Sequence, residues 1–171
     1  LTKIKKRSLL LYYKTLIRPI LEYCSNIWHP IYKNEINEIE KVQKRATKLI
    51  KSIRNKSYEE RLIFLNLQTL QYRRLRADMI QTFRILKGID NIDPNQFFIL
   101  ANSDRTRGHS LKLLKPRNTS SLRINSFSQR VINPWNNLKE ETVSSLTLNQ
   151  FKSALEKEWL NHPNKYNHTD I

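Results

Sequence analysis

Apolar residues recur at helical spacing along most of the chain, and they predict a mainly α-helical fold. In the opening stretch they advance in steps of three and four, which predicts one long helix over residues 4–28. Pro19 lies inside this helix and lacks a backbone donor, so we expect a kink near residues 15–18 or a division into two helices. The pair His29-Pro30 would end the helix.

A second helix is predicted from Asn34 to Ile53, with a narrow apolar stripe on one side. The stripe consists of Ile36, Ile39, Val42, Ala46, Leu49, Ile50 and Ile53. The other faces carry five basic residues and no acidic residue within eleven positions: Lys41, Lys44, Arg45, Lys48 and Lys51. Basic residues on a surface helix are usually solvated. Because no acidic residue within this stretch neutralises the five, we favour phosphate contact over simple solvation.

Three further helices are marked by capping signals. Ser57 and Glu60 form an S-x-x-E capping box before a short helix. Thr69 would cap the next helix, which runs until Gly88, a residue typical of the position just past a helix end. The basic residues of this helix include Arg73, Arg74, Arg76, Arg84 and Lys87. A second capping box at residues 147–150 predicts the start of the last helix.

The pattern changes in the C-terminal half of the chain. Residues 103–125 alternate weakly and contain turn formers at Gly108 and Pro116, which predicts a β-hairpin. Its apolar side would carry Leu111, Leu113, Leu122 and Ile124. Residues 126–138 and 147–160 have helical spacing again.

Charge is distributed unevenly along the chain, which has 31 basic and 15 acidic residues and a net charge of +16. Such a charge indicates a polyanionic partner. Charge and periodicity together predict a helical segment over residues 1–88, an acidic linker over 89–104, a basic C-terminal subdomain over 105–160 with a hairpin and two helices, and a frayed tail over 161–171. The expected fold class is mainly α, with a small α+β C-terminal domain.

Several kinds of site are disfavoured by composition. Gly88 and Gly108 are the only two glycines, too few for the glycine-rich loops that cradle nucleotide phosphates. The single cysteine, Cys24, and four scattered histidines do not have the spacing of a metal site. The longest apolar run, Leu9–Tyr13, is far too short for a membrane span, and we expect neither a signal peptide nor association with a membrane.

The acidic residues do not form a catalytic arrangement with local spacing. The pairs Glu59-Glu60 and Glu140-Glu141 occupy positions where carboxylates stabilise helix starts. Asp78 is expected to pair with Arg74, four residues earlier.

Arg105 and Arg107 belong to the densest group of donors in the acid-free stretch 105–139. Gly108 indicates a turn with positive φ or a close backbone approach, which would let both arginines and the amide of His109 point at one anion. The alternative is a hairpin turn with solvated arginines and His109 at the surface, which spacing alone slightly favours.

Six short motifs follow one another along the chain: RPILEY (18–23) with Trp28, VQKRATK (42–48), YEERL (58–62), YRRLRADMI (72–80), RTRGHS (105–110) and FSQRVIN (127–133) with Trp135-Asn136. In this order they resemble the region downstream of the polymerase palm in reverse transcriptases of non-LTR, jockey-like retrotransposons. The resemblance spans nearly the whole chain.

The resemblance implies a thumb-like helical segment followed by a small C-terminal domain that handles template RNA and target DNA. Polymerases of this family hold Mg²⁺ with an aspartate pair in the palm. This chain contains no Asp-Asp, so we expect a fragment without a cofactor that is catalytically inert alone. Its partners would be RNA and DNA, together with the upstream palm and endonuclease domains. Its location would be intracellular, in the nucleus or in a cytoplasmic ribonucleoprotein.

The predicted nucleic-acid contacts are Lys41, Lys44, Arg45, Lys48, Lys51, Arg73, Arg74, Arg76, Arg105, Arg107, His109 and Arg130. The resemblance also favours the anion-binding interpretation of the Arg105 motif. Base stacking is a further possibility for Tyr12, Tyr13, Trp28 and Tyr32, although core packing is favoured for most of them. Two alternatives remain. One is a helical protein-interaction module whose charge confers solubility, and the other is a membrane-surface module using the basic amphipathic helix 36–53.

Overall fold

A computed structural model describes residues 6–101, 108–117 and 120–167 of the chain. These residues are mainly α-helical, which confirms that part of the predicted class. The α-helices are α1 (Lys6–Tyr12), α2 (Arg18–Glu22), α3 (Lys33–Lys48), α4 (Tyr58–Leu65), α5 (Leu70–Leu86), α6 (Ser121–Ile124), α7 (Phe127–Arg130), α8 (Ile132–Asn136), α9 (Glu140–Val143) and α10 (Leu148–Glu158).

The predicted first helix is interrupted ahead of its proline. A π-helical turn, Tyr13–Ile17, separates α1 from α2, and Pro19 lies in the first turn of α2. This is the expected division into two helices, and it falls where proline leaves a carbonyl of the preceding turn without its usual donor. The helix ends earlier than predicted, since the backbone is no longer helical at Tyr23 and Cys24 adopts a left-handed φ of 49°.

Both ends of α4 are fixed by local hydrogen bonds. The Ser57 hydroxyl accepts from the amide of Glu60 at 3.2 Å, and the Glu60 carboxylate accepts from the amide of Ser57 at 2.7 Å. The capping box predicted from the sequence is therefore confirmed. Before it, α3 is shorter than predicted, and a 3₁₀ turn covers Lys51–Ile53. At the C-terminal end of α4, Asn66 has a left-handed φ of 48°.

The chain forms two compact units, divided differently from the four predicted segments. Unit 1 contains the residues up to Arg74 together with those from His162 onwards, and unit 2 runs from Leu75 to Asn161. The core cluster of unit 1 consists of Tyr13, Ile50, Ile53, Leu62, Leu65 and Leu67.

The described part of the predicted frayed tail is anchored in unit 1. The Thr69 hydroxyl donates to the carbonyl of Asn164 at 2.6 Å, and the Thr69 amide donates to the carbonyl of Lys165 at 3.0 Å. Lys165 is only 4 % exposed, and Tyr166 packs against the core cluster. The polar composition of residues 162–167 concealed these contacts, because the backbone supplies most of the anchoring groups.

Unit 2 has an aromatic core between α5, α8 and α10. The ring of Phe83 stacks on that of Phe151 with centroids 4.2 Å apart, and Phe151 also contacts Trp135. Met79 is fully buried. Residues 75–86 of α5 belong to this unit because their apolar side chains pack there. The division therefore falls before the predicted boundary at residue 88.

The described residues do not form the predicted β-hairpin. Leu113 forms an isolated antiparallel bridge with Leu100, flanked by backbone hydrogen bonds of 2.7 and 2.8 Å. Leu122 and Ile124 lie in α6, where the amide of Ile124 donates to the carbonyl of Ser120. Because this turn uses its own backbone donors, these two residues do not pair with Leu113 as strand partners.

Candidate nucleic-acid interface

The most buried side of α3 is polar rather than apolar. Glu40, Gln43 and Thr47 are its fully buried residues, whereas much of the predicted apolar stripe is half-buried and Leu49 is exposed. The Glu40 carboxylate accepts from the Leu70 amide at 2.9 Å and from the Tyr58 hydroxyl. Burial raises the pKa of Glu40. This network fixes α3 against its neighbours and thereby orients the opposite face of the helix.

That opposite face presents basic side chains to solvent. Arg45 and Lys48, both predicted contacts, are exposed, and Lys51 is exposed in the 3₁₀ turn after α3. Arg54 and Lys56 continue the exposed series and were missing from the predicted set. The signal that would have found them is the absence of any acidic residue between 41 and 56. The five exposed cations are called the basic segment: Arg45, Lys48, Lys51, Arg54 and Lys56.

The other two predicted cations of α3 have intramolecular partners. Lys41 forms an ion pair with Glu38, and this contact lowers the pKa of the Glu38 carboxyl. Sequence analysis overlooked Glu38 as a partner because this residue lies just before the acid-free stretch 41–51. Lys44 is half-buried, with Nζ 5.3 Å from the centroid of the Tyr58 ring. These two residues are therefore less available to a ligand than the basic segment.

Of the predicted arginines of α5, Arg73 and Arg76 form ion pairs and Arg74 is buried. Arg73 forms an ion pair with Glu22 in which Nη2 donates to Oε2 at 2.9 Å. The Nε of Arg76 lies 3.3 Å from a carboxylate oxygen of Glu156. Arg74 is 2 % exposed. Ion pairs between residues far apart in the sequence cannot be detected from helical spacing. The sequence analysis therefore assigned these arginines to a solvent-facing surface.

Arg130, another predicted contact, lies in a buried ion pair. Its Nε and Nη2 donate to the two carboxylate oxygens of Asp78, each at 3.0 Å. The predicted partner of Asp78 was Arg74, whereas this bidentate partner comes from α7, 52 residues further along the chain. Charge pairing at this site holds α7 against α5.

His109 is buried and not at the surface. It is 3 % exposed, its Nε2 lies 2.9 Å from the carbonyl of Trp135, and its ring meets that indole edge-on. Gly108 has a φ of +129°, as the predicted turn requires. Both Arg105 and Arg107 lie outside the described residues. Because the imidazole is engaged with Trp135, its role in the described structure is packing.

The aromatic residues considered for base stacking differ in their exposure to solvent. Tyr13 is buried and donates its hydroxyl to the side chain of Gln43, which confirms core packing for that residue. Tyr12, Trp28 and Tyr32 are exposed.

No protein-family model, curated protein or solved structure matches the chain. None of the helices in the described ranges combines the length and apolar character needed to cross a bilayer. Among the same residues, histidine, cysteine and carboxylate side chains form no group of three or more that could hold a metal ion.

Proposed function

We propose that the chain is a nucleic-acid-binding part of a retrotransposon reverse transcriptase that holds template RNA or target DNA through backbone phosphates. The observation that carries this proposal is the basic segment: five exposed cations between residues 45 and 56, with no acidic residue among them. Lysine and arginine that neutralise phosphates supply affinity with little sequence preference. The chain's net charge of +16 would strengthen the approach of any polyanion.

The parent protein would supply the chemistry that this chain lacks. In this proposal residues 1–88 are the thumb-like segment, and residues 105–160 form a small basic α+β domain. A palm domain elsewhere in the parent would hold Mg²⁺ and carry out polymerisation, so the chain alone would be inert. Its place of action would be the nucleus or a cytoplasmic ribonucleoprotein.

A charge-reversal experiment tests the proposal. Arg45→Glu, Lys48→Glu and Lys51→Glu combined should weaken binding to a labelled RNA and to a DNA duplex by at least about 10-fold each, because phosphate neutralisation dominates affinity. Fluorescence anisotropy measures binding, and circular dichroism should show unchanged helix content because the three side chains are exposed.

The matched control reverses the same amount of charge in unit 2, with Lys139→Glu, Lys152→Glu and Lys157→Glu. It should change affinity by no more than about 3-fold, the effect of lower net charge alone. Equal losses in the two triple variants would show that the basic segment has no special role. A wild-type chain that binds neither nucleic acid would overturn the proposal itself.

An exposed apolar surface favours the protein-interaction alternative as a second function. Large apolar side chains protrude from the first part of unit 1, with Ile20 75 % and Ile27 85 % exposed. Such surfaces are typical of protein contacts. In the proposed parent they would contact the upstream palm domain. Co-purification with that domain should be lost on Ile20→Ser with Ile27→Ser, and retention of the complex would remove this surface from consideration.

The membrane-surface alternative has less support. Its apolar stripe on α3 would have to enter the lipid interface. Ile36, Ile39 and Val42 are half-buried within the protein itself, so this stripe is already partly covered.

A further inference from the structure

Unit 2 contains a basic cleft, and none of its described lining residues belongs to the set predicted to bind nucleic acid. It has a volume of about 400 Å³ and is lined by Lys115, Pro116, Arg117, Ile124 and Gln129. Two of these five side chains are cationic and none is acidic. The cleft is therefore suited to an anion or to a ligand that carries one.

The lining has three kinds of surface. Lys115 and Arg117 are exposed on either side of Pro116, so two cations flank one apolar ring. Ile124, at the end of α6, adds a second apolar surface. Gln129 is 8 % exposed and brings an amide with both donor and acceptor atoms. Cationic side chains contact nucleotide phosphates, and an amide can hydrogen-bond to the edge of a base. The apolar surfaces of Pro116 and Ile124 would cover the face of that base.

The wall that carries Gln129 is held in place from within unit 2. The neighbouring Arg130 forms the buried bidentate pair with Asp78 and also donates to the carbonyl of Asn125 at 3.2 Å. These contacts join the end of α7 to α5 and to the turn between α6 and α7. A wall fixed in this way lets the cleft bind a ligand without first ordering its own backbone.

We propose that this cleft binds one nucleotide unit of a single-stranded nucleic acid, with Lys115 and Arg117 on the phosphate and Ile124 and Gln129 on the base. The inference rests on the proposed nucleic-acid-binding function and adds a site in unit 2 to the basic segment of unit 1. A single nucleotide fits a cleft of this size, since pockets of roughly 300 Å³ and above accommodate small ligands. A duplex would not enter it, because paired bases keep their faces stacked and their edges engaged.

The first experiment removes the two cations. Lys115→Ala with Arg117→Ala should weaken binding of the full chain to a labelled 12-residue oligouridylate by at least about 5-fold, while duplex binding falls by less than about 2-fold. The control, Lys152→Ala with Lys157→Ala, removes the same charge from α10 of the same unit and should cost no more than about 2-fold for either ligand. Equal losses in the two double variants for the single strand would overturn the proposal.

The second experiment tests contact with the base. Ile124→Ser replaces an exposed side chain, so α6 should persist. It should weaken oligouridylate binding by about 5-fold, because the base loses an apolar contact with Ile124, and it should leave an abasic strand of equal length unaffected. Equal losses on both strands would mean that the cleft accepts phosphate alone. Displacement of the oligouridylate by an acidic peptide rather than by uridine monophosphate would identify a protein ligand instead. Either result contradicts the inference.

These outcomes are separable from failure of the proposed function. If the wild-type chain binds neither RNA nor DNA, both proposals fall together. If the charge reversal in the basic segment weakens binding as expected but the cleft variants behave like their control, only the cleft proposal is wrong.

Discussion

Arg130 was predicted from the sequence to contact nucleic acid, whereas in the fold it forms a buried ion pair. Its guanidinium faces the buried carboxylate of Asp78 through two hydrogen bonds of 3.0 Å. Arg130→Ala should lower the free energy of unfolding by about 3 kcal/mol, because a buried carboxylate then loses its countercharge. Urea denaturation measures the change.

Two further variants separate this structural role from a binding role. Asp78→Leu with Arg130→Met should recover most of the lost stability, since an apolar pair of similar size replaces the ions. Arg123→Ala, an exposed arginine in the same region, should change stability by less than about 0.5 kcal/mol. Weaker RNA binding by a fully stable Arg130→Ala variant would instead place the guanidinium at the ligand.

We expect His162 to make the stability of unit 1 depend on pH. Its Nδ1 accepts from the amide of Asn164 at 3.2 Å, its ring meets Tyr72 edge-on at 5.5 Å, and burial lowers its pKa. The unfolded chain therefore binds a proton at a higher pH than the folded chain does. The free energy of unfolding should rise as the pH rises from below the folded pKa to about 6.5, and this contribution should be lost on acidification.

The matched variant His162→Gln tests this dependence because glutamine does not titrate. Urea unfolding between about pH 5 and pH 7.5 should show a smaller rise in stability for the variant than for the wild type. Other histidines contribute equally to both proteins, so the difference between the two curves isolates His162. Identical curves would contradict the assignment.

At the scale of helices, sequence analysis succeeded where the determining contacts are local. The boxes at Ser57 and Thr147 depend on a partner three residues away, and both form as predicted. Thr69 likewise caps α5, with its hydroxyl accepting from the amide of Tyr72 at 3.1 Å. The interruption of the helix ahead of Pro19 follows from one missing donor. Such signals are complete within a single turn of helix, so tertiary structure does not need to be known.

Prediction failed where a residue's role depends on distant parts of the chain. The most buried positions of α3 include Glu40 and Gln43, which a hydrophobic pattern assigns to solvent. They are buried because Tyr13, Tyr58 and the amide of Leu70 supply hydrogen-bond partners from other elements. Buried polar residues with such partners cost little, but periodicity cannot detect the partners.

The candidate site shows the same division between local and distant information. The acid-free run that defines the basic segment is visible in the sequence, and its cations are exposed. The basic helix α5 has equally dense charge, yet Arg73 and Arg76 face carboxylates contributed by other helices. The density of basic residues therefore predicts that the chain binds a polyanion, whereas the structure is needed to show which cations are exposed to such a ligand.

For the whole molecule, the number of available cations determines how binding responds to salt. The basic segment contributes five exposed cations. Each phosphate neutralised on a duplex should contribute roughly 0.9 to the slope of log K against log salt, so five contacts give a slope near −4.5. Anisotropy titrations of the full chain with a DNA duplex, between about 50 and 200 mM salt, measure this slope.

The slope also distinguishes local contacts from the overall field of the molecule. Replacing Arg45, Lys48 and Lys51 by glutamine removes three of the five phosphate contacts and should bring the slope to about −1.8. If the net charge of +16 acted only as a diffuse field, the loss of three charges would change the slope in proportion to the total and leave it close to the wild-type value. A flat response of the wild-type chain would show that its charge confers solubility without phosphate contact, which is the prediction of the protein-interaction alternative.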